Sequence, residues 1–379
     1  MIKSYKIRIY PTPEQEKQMW QHIGSCRYIW NYMLALQEER HKQGEKHLSA
    51  FSMINLLKPI KNDGEHDWLY EVSNTSLQIV CRDLDKAYSA FFKKIAKYPK
   101  FKSKKRSKPN FPIRADAFYF KDEHLVQIQK IGKVKYKTDY SLPIGREHKF
   151  TNPRISYNNG KWILSFGMEC ENQAPTLSDK AMGIDLGVKD LAVVACGDEH
   201  LTFHNINKSK KMRELNKKTK RTQRAISRKY EANRKGKAYI KTKNIEKLET
   251  RLRNLHQRIA NIRSNYIHQT THTLVSMLPK RVVMEDLNIS GMMKSKHLSK
   301  AIQEQCFYEF IRQMRYKSEW NGIEFVQADR FYPSSKTCSC CGSIKHDLKL
   351  KDRTYTCPEC GVVIDRDLNA AINLSRYAA

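Results

Sequence analysis

The sequence predicts a multidomain α+β chain: a β-barrel carrying a helical insertion, an α/β domain, and a small zinc-type ribbon inserted near its end. Three observations predict it. The hydrophobic period switches between two and helical spacing several times along the 379 residues. Two strand-like runs, Met182-Gly183-Ile184-Asp185 and Val282-Val283-Met284-Glu285, each end in a carboxylate. Two Cys-x-x-Cys knuckles, Cys338/Cys341 and Cys357/Cys360, offer four thiolates at the spacing a tetrahedral zinc site needs.

Taken in order, residues 1–11 alternate polar and apolar side chains and read as a first barrel strand. Pro11-Thr12-Pro13 then opens a helix, with Thr12 as cap, Pro13 in the first turn, and Met19, Ile23, Trp30 and Leu34 facing inward. A second helix is expected from about 76 to 96, with Leu77, Leu84, Tyr88, Phe91 and Phe92 near one side, so that 12–115 form the helical insertion. Period two returns over 116–178, where Asn158-Asn159-Gly160-Lys161 marks a tight hairpin because Asn-Gly accepts positive φ. The α/β domain spans 179–329 and contains a basic helical hairpin at 208–275. Ile245, Leu248, Leu252, Leu255, Ile259, Ile262 and Tyr266 form its apolar seam, and the turn lies at Arg234-Lys235-Gly236-Lys237. The ribbon occupies 330–362, and 363–379 return to the α/β domain.

Lys and Arg number 70 against 39 Asp and Glu, a formal charge of +31, which points to a polyanionic partner and above all to nucleic acid. With 40% hydrophobic residues the chain is not a disordered one. No apolar run has the length of a signal peptide or a bilayer span, so a cytoplasmic protein without membrane attachment is expected. In a reducing compartment the knuckle cysteines favour metal over disulfides; Cys340 reads as a bystander.

A carboxylate ending a buried strand is ordinary once. Asp185 and Glu285 repeat it, and an acidic run after the knuckles adds Asp365 and Asp367. Three such carboxylates at strand ends can hold two Mg²⁺ ions, one activating water and the other stabilising the oxygen that leaves a phosphodiester. Candidate nucleic-acid contacts are Ser76, Gln78 and Arg82 on the second helix, and Lys100, Lys102, Lys104, Lys105 and Arg106 in a basic segment where Tyr98 and Phe101 offer rings for stacking.

Four ordered motifs resemble those of transposon-encoded TnpB (OrfB) proteins, compact relatives of the single-RuvC type V CRISPR nucleases. They are Gly183-Ile184-Asp185-Leu186-Gly187, Met284-Glu285-Asp286-Leu287, Tyr332-Pro333-Ser334-Ser335-Lys336-Thr337-Cys338, and Asp365-Arg366-Asp367-Leu368-Asn369-Ala370-Ala371. The opening Lys6-Ile7-Arg8-Ile9-Tyr10-Pro11-Thr12 and the stretch Leu77-Gln78 to Arg82-Asp83-Leu84 are similar to that family as well. The resemblance implies a wedge barrel, an RNase H-like RuvC domain and a zinc ribbon with one structural Zn²⁺. It also implies cleavage of double-stranded DNA beside a short flanking motif, guided by RNA from the transposon end, with strand transfer left to a companion transposase. By position it makes Asp185, Glu285 and Asp367 the catalytic Mg²⁺ ligands, with Asp365 the alternative third acid. The competing expectations are a guide-directed repressor that does not cut and an accessory regulator of transposition.

Overall fold

The alternation at the start of the chain becomes strand β1 (Ile2–Tyr10), which buries Ile7 and Ile9. Helix α1 (Pro13–Lys42) follows with the expected cap completed as a capping box: Thr12 accepts from the Gln15 amide, and the Gln15 side chain accepts from the Thr12 amide. Helices α2 (Ala50–Asn55), α3 (Leu57–Lys61) and α4 (Asn74–Phe92) complete the helical part. Expected to reach 96, α4 ends at Phe92 because Lys94 takes a left-handed φ of 58°. As a result Phe92 is exposed, while Leu77, Leu84 and Tyr88 are buried as the spacing predicts.

Strands β2 (Asn110–Pro112), β3 (Phe118–Phe120), β4 (Leu125–Ile128), β5 (Gly132–Lys137), β6 (Phe150–Asn158) and β7 (Lys161–Glu169) join β1 in one antiparallel sheet, ordered β2-β6-β7-β1-β5-β4-β3. The helical insertion is therefore shorter than 12–115, since residues 110–112 pair with β6. Asn159 and Gly160, at φ 47° and 79°, make the two-residue turn between β6 and β7. Among the described residues no ladder joins the edge strands β2 and β3. The sheet nevertheless curls: Phe118 of edge strand β3 lies 4.8 Å, ring to ring, from Phe150 of β6, on the far side of the strand order.

The described residues are 1–170, 175–236, 238–349 and 351–378, in two compact units, Met1–Glu171 and Asn172–Ala379. In the second unit, β8 (Ser178–Leu186), β9 (Asp190–Cys196) and β10 (Glu199–His204) form an antiparallel meander. The basic hairpin follows as α5 (Lys210–Ala232), a small β11 (Arg234–Lys235) and β12 (Ala238–Tyr239) ribbon, and α6 (Lys243–Ser276); Lys237 of the expected turn lies outside the described residues. Met212 and Leu215 of α5 pack on Leu255, Ile259 and Ile262 of α6, as the seam predicts. Strand β13 (Pro279–Glu285), helices α7 (Ile289–Met292), α8 (Ser299–Gln305) and α9 (Phe307–Trp320), and strand β14 (Glu324–Ala328) come next. Strands β15 (Thr354–Thr356) and β16 (Val363–Asp365) pair within the cysteine ribbon, and α10 (Arg366–Ser375) closes the fold.

The central sheet runs β10-β9-β8-β13-β14, with β13 parallel to both β8 and β14. Helices cover both faces, which is why β13 is apolar at consecutive positions. On one face Met182, Ile184, Val282 and Met284 pack against Ile267 and Leu274 of α6 and Phe310 and Met314 of α9. On the other, Val193, Ala195 and Val283 meet Ala371 and Leu374 of α10. Gly183 lets that helix settle: a Cβ there would lie 2.0 Å from the Ala371 carbonyl oxygen and 2.3 Å from the Ser375 amide nitrogen. Gly183→Ala is therefore expected to cost about 3 kcal/mol in chemical denaturation, because the clash is with backbone that cannot rotate away.

Candidate carboxylate and cysteine sites

Strand periodicity puts Asp185 on the face of Gly183, beneath α10, and Glu285 on the face of Val283, also beneath α10. The parallel register pairs Met284 with Ile184, so one step further along both strands the two carboxylates sit side by side at the carboxyl ends, where open α/β sheets place their ligands. Asp367, in the first turn of α10, comes down over them. Asp185, Glu285 and Asp367 line one cleft of about 360 Å³, together with Lys189, Lys336, Lys349, Arg353 and Arg366.

The electrostatics of the cleft follow from this crowding. Burial pushes the Asp185 carboxyl well above the usual carboxylate range, and the negative charges of Glu285 and Asp367 push it further, against the opposing guanidinium of Arg366. Asp367 is held by Arg366 at 3.0 Å and approached by Arg353 at 3.8 Å. Glu285 accepts a hydrogen bond from the Ser334 hydroxyl. Three carboxylates with one acid strained toward its neutral form are a hard-oxygen donor set that suits Mg²⁺. Asp365 is used differently. It is the N-cap of α10, accepting from the amides of Asp367 at 2.9 Å and Leu368 at 3.2 Å, and it does not line the cleft. Asp365→Ala is accordingly expected to lower stability by about 1 kcal/mol, read by thermal melting. Its effect on DNA cleavage should be far smaller than that of Asp367→Ala.

The four knuckle sulfurs lie within 4.8 Å of one another, the only such set of three or more potential metal ligands among the described residues. Cys338 to Cys360 is 3.6 Å and Cys341 to Cys357 is 3.5 Å, close to the edge of about 3.8 Å that a tetrahedron with Zn–S bonds of about 2.3 Å requires. Ser343 stands 3.1 Å from the Cys357 sulfur, and buried Tyr355 fills the ribbon's own small core beside Cys338 and Cys357. Cys340 is exposed and outside the cluster.

The expected nucleic-acid contacts fare unevenly. Ser76 is buried, with its hydroxyl donated to the Pro112 carbonyl at 2.7 Å, so it is a packing residue and not a surface reader. Gln78 is half-buried and lines a cavity with Lys58, Lys61, Asn74 and Lys130, while Arg82 is exposed on α4. Lys100, Lys104, Lys105 and Arg106 are exposed. Lys102 turns inward. Its backbone is bonded to the Asn31 side chain, its ammonium sits 3.5 Å over the Trp30 ring, and burial lowers its pKa to about 8. Sequence reasoning missed Ser334, Asn369 and Asn373, whose side chains face the cleft or the lead into the knuckle; Ser334 and Asn369 lie inside the motifs and Asn373 two residues beyond the last of them, yet no periodicity marks them.

Three family models match the chain: a helix-turn-helix domain of the OrfB type over residues 1–46, a probable transposase of the same type over 165–296, and a Cas12f1-like TNB domain over 307–374. Residues 1–46 here hold a strand and one uninterrupted helix. A Streptomyces pristinaespiralis protein is 31% identical over 98% of this chain and 88% of its own length. Escherichia coli (strain K12) InsQ is 30% identical over 98% and 91%. Both names carry a provisional assignment as RNA-guided DNA endonucleases. Among solved structures, a Cas12f1–sgRNA–target DNA complex aligns over 99% of both chains at 16% identity, with a TM-score of 0.38. The chain thus sits among the OrfB-type proteins of insertion sequences. It belongs to the TnpB (OrfB) family.

Proposed function

We propose that the protein is a transposon-encoded, RNA-guided endonuclease that cuts double-stranded DNA beside a short flanking motif at a RuvC-type site. The observation that carries this reading is the convergence of Asp185, Glu285 and Asp367 in one cleft at the carboxyl ends of two parallel strands. Bound there, two Mg²⁺ ions would supply an activated water and charge stabilisation at the leaving oxygen. The protein's own part is to hold the three carboxylates in place, and to line the cleft with Lys189, Lys336, Lys349 and Arg353, whose charge suits a phosphodiester backbone. In this reading the curled sheet of the first unit is the wedge barrel, the cysteine element is a ribbon holding one structural Zn²⁺, and the exposed Arg82, Lys100, Lys104, Lys105 and Arg106 with Gln78 meet nucleic acid. The guide derives from the transposon end, a companion transposase performs strand transfer, and the work is done in the cytoplasm. Among the described residues no helix is long and apolar enough to cross a membrane.

The test is to purify the protein from cells carrying its flanking DNA, sequence the RNA that comes with it, and incubate the complex with Mg²⁺ and a DNA library matched to that RNA. A discrete RNA and cuts beside one fixed motif are expected. Discrete RNA with target binding but no cutting would make the protein a guide-directed repressor, and absence of a defined RNA would remove the guide from the reading.

A further inference from the structure

The cysteine ribbon is joined to the carboxylate cleft by more than chain continuity. Both sides of the ribbon touch the helix that carries Asp367. On one side, β16 runs directly into α10, and the Arg366 amide donates to the Arg353 carbonyl at 2.9 Å. On the other, the lead into the first knuckle is stapled to α10 by two asparagines with almost no exposed surface. Asn369 donates to the Thr337 carbonyl at 2.7 Å and accepts from the Ser339 amide at 2.9 Å. Asn373, one turn on, donates to the carbonyls of Ser334 at 2.7 Å and Thr337 at 2.6 Å. The same Ser334 donates its hydroxyl to Glu285, and it too is buried. One short segment, 334–339, therefore holds the helix of one acid by its backbone and a second acid by its side chain, and contains the first knuckle cysteine, Cys338.

We propose that this segment is a positioning clamp for the divalent-cation site, acting through Ser334, Asn369 and Asn373; the inference rests on the carboxylate reading given above. Ser334 fixes the rotamer of Glu285, and the two asparagines fix the height of α10 and so the reach of Asp367. Groups that orient metal ligands in this way commonly change cation affinity by tenfold or more without touching the ion. The arrangement also explains the small residue at Ala371, which lets the clamped helix lie close on β8 and β9.

The experiment is a Mn²⁺ titration of the full chain, followed by the electron paramagnetic resonance signal of free Mn²⁺, on the parent and on Ser334→Ala, Ser334→Thr and Asp185→Ala. Ser334→Ala should weaken Mn²⁺ binding roughly tenfold, and threonine, which keeps the hydroxyl, should restore it. The Mg²⁺ needed for half-maximal DNA cleavage should rise in parallel, with most of the maximal rate recovered at saturating Mg²⁺. Parent-like Mn²⁺ binding in Ser334→Ala, with binding lost in Asp185→Ala, overturns the clamp and leaves the carboxylate site standing. Parent-like binding in Asp185→Ala overturns the site itself. Should Ser334→Ala melt well below the parent, Asn373→Ser takes its place in the same titration, and unchanged affinity there overturns the clamp.

Discussion

Asp185→Ala is expected to leave a folded protein that still binds its nucleic-acid partners but cuts target DNA on the order of a thousandfold more slowly, a loss of about 4 kcal/mol in barrier height. The size of the effect comes from placement. Asp185 lines the cleft with Glu285 and Asp367 and is close enough to feel the charge of both, so its removal takes one carboxylate from a site whose donors are few. Cleavage rate and target retention, measured on one preparation, check it; normal cutting would dismiss the assignment. A stability effect of opposite sign goes with it. Burial and two neighbouring acids raise the Asp185 pKa in the folded state. The folded protein therefore holds a proton that the unfolded chain releases, and without divalent cation it loses stability as pH climbs from the ordinary carboxyl range through the raised value. Asp185→Asn, neutral at every pH, should melt above the parent in chelator, with the gap widening as pH rises above the ordinary carboxyl range. Added Mg²⁺ should close the gap by stabilising the parent alone.

Cys338→Ser is expected to be the most damaging substitution outside the cleft. Cys338 is 2% exposed and shares the ribbon's core with Tyr355 and Cys357, around which Leu348, Val362 and Ile364 are only partly buried, so the ribbon has little apolar interior besides its cysteine corner. Structural zinc sites in small domains contribute on the order of 10 kcal/mol or more of apparent folding free energy at neutral pH. Losing one of four thiolates should empty the site, read as loss of one zinc per chain by elemental analysis, and should render residues 338–360 susceptible to protease. Cys340→Ser, one residue from the same knuckle but exposed and outside the cluster, should keep both zinc content and melting behaviour. If the two serine variants behaved alike, the cysteine cluster would not be a zinc site.

Much of this molecule is written locally. The helix start at Thr12-Pro13, the Asn159-Gly160 turn and the α6 seam are short-range patterns whose physics is complete within a few residues, and each appears where the spacing puts it. The knuckles are legible for the same reason, because ligand spacing is itself the signal. The two strand-end acids were visible as types and positions, but their meeting depends on the parallel register of β8 and β13, residues separated by the whole basic hairpin. Ser76 shows the converse. Its helical position reads as a reader of DNA, and only the return of the chain at Pro112 shows that its hydroxyl is consumed inside the fold.

The sequence by itself determined the family, the zinc-type knuckles, the excess of positive charge and the acids Asp185 and Glu285. The resemblance favours Asp367 with Asp365 as the alternative, but residue type and spacing alone do not separate two carboxylates two residues apart in one motif. Tertiary structure decided between their geometries: the helix begins at Arg366, so Asp365 turns back to satisfy the free amides of the first turn while Asp367 projects from that turn into the cleft. It also decided that Ser334, Asn369 and Asn373 act together, since hydrogen bonds across more than thirty residues of chain obey no sequence period.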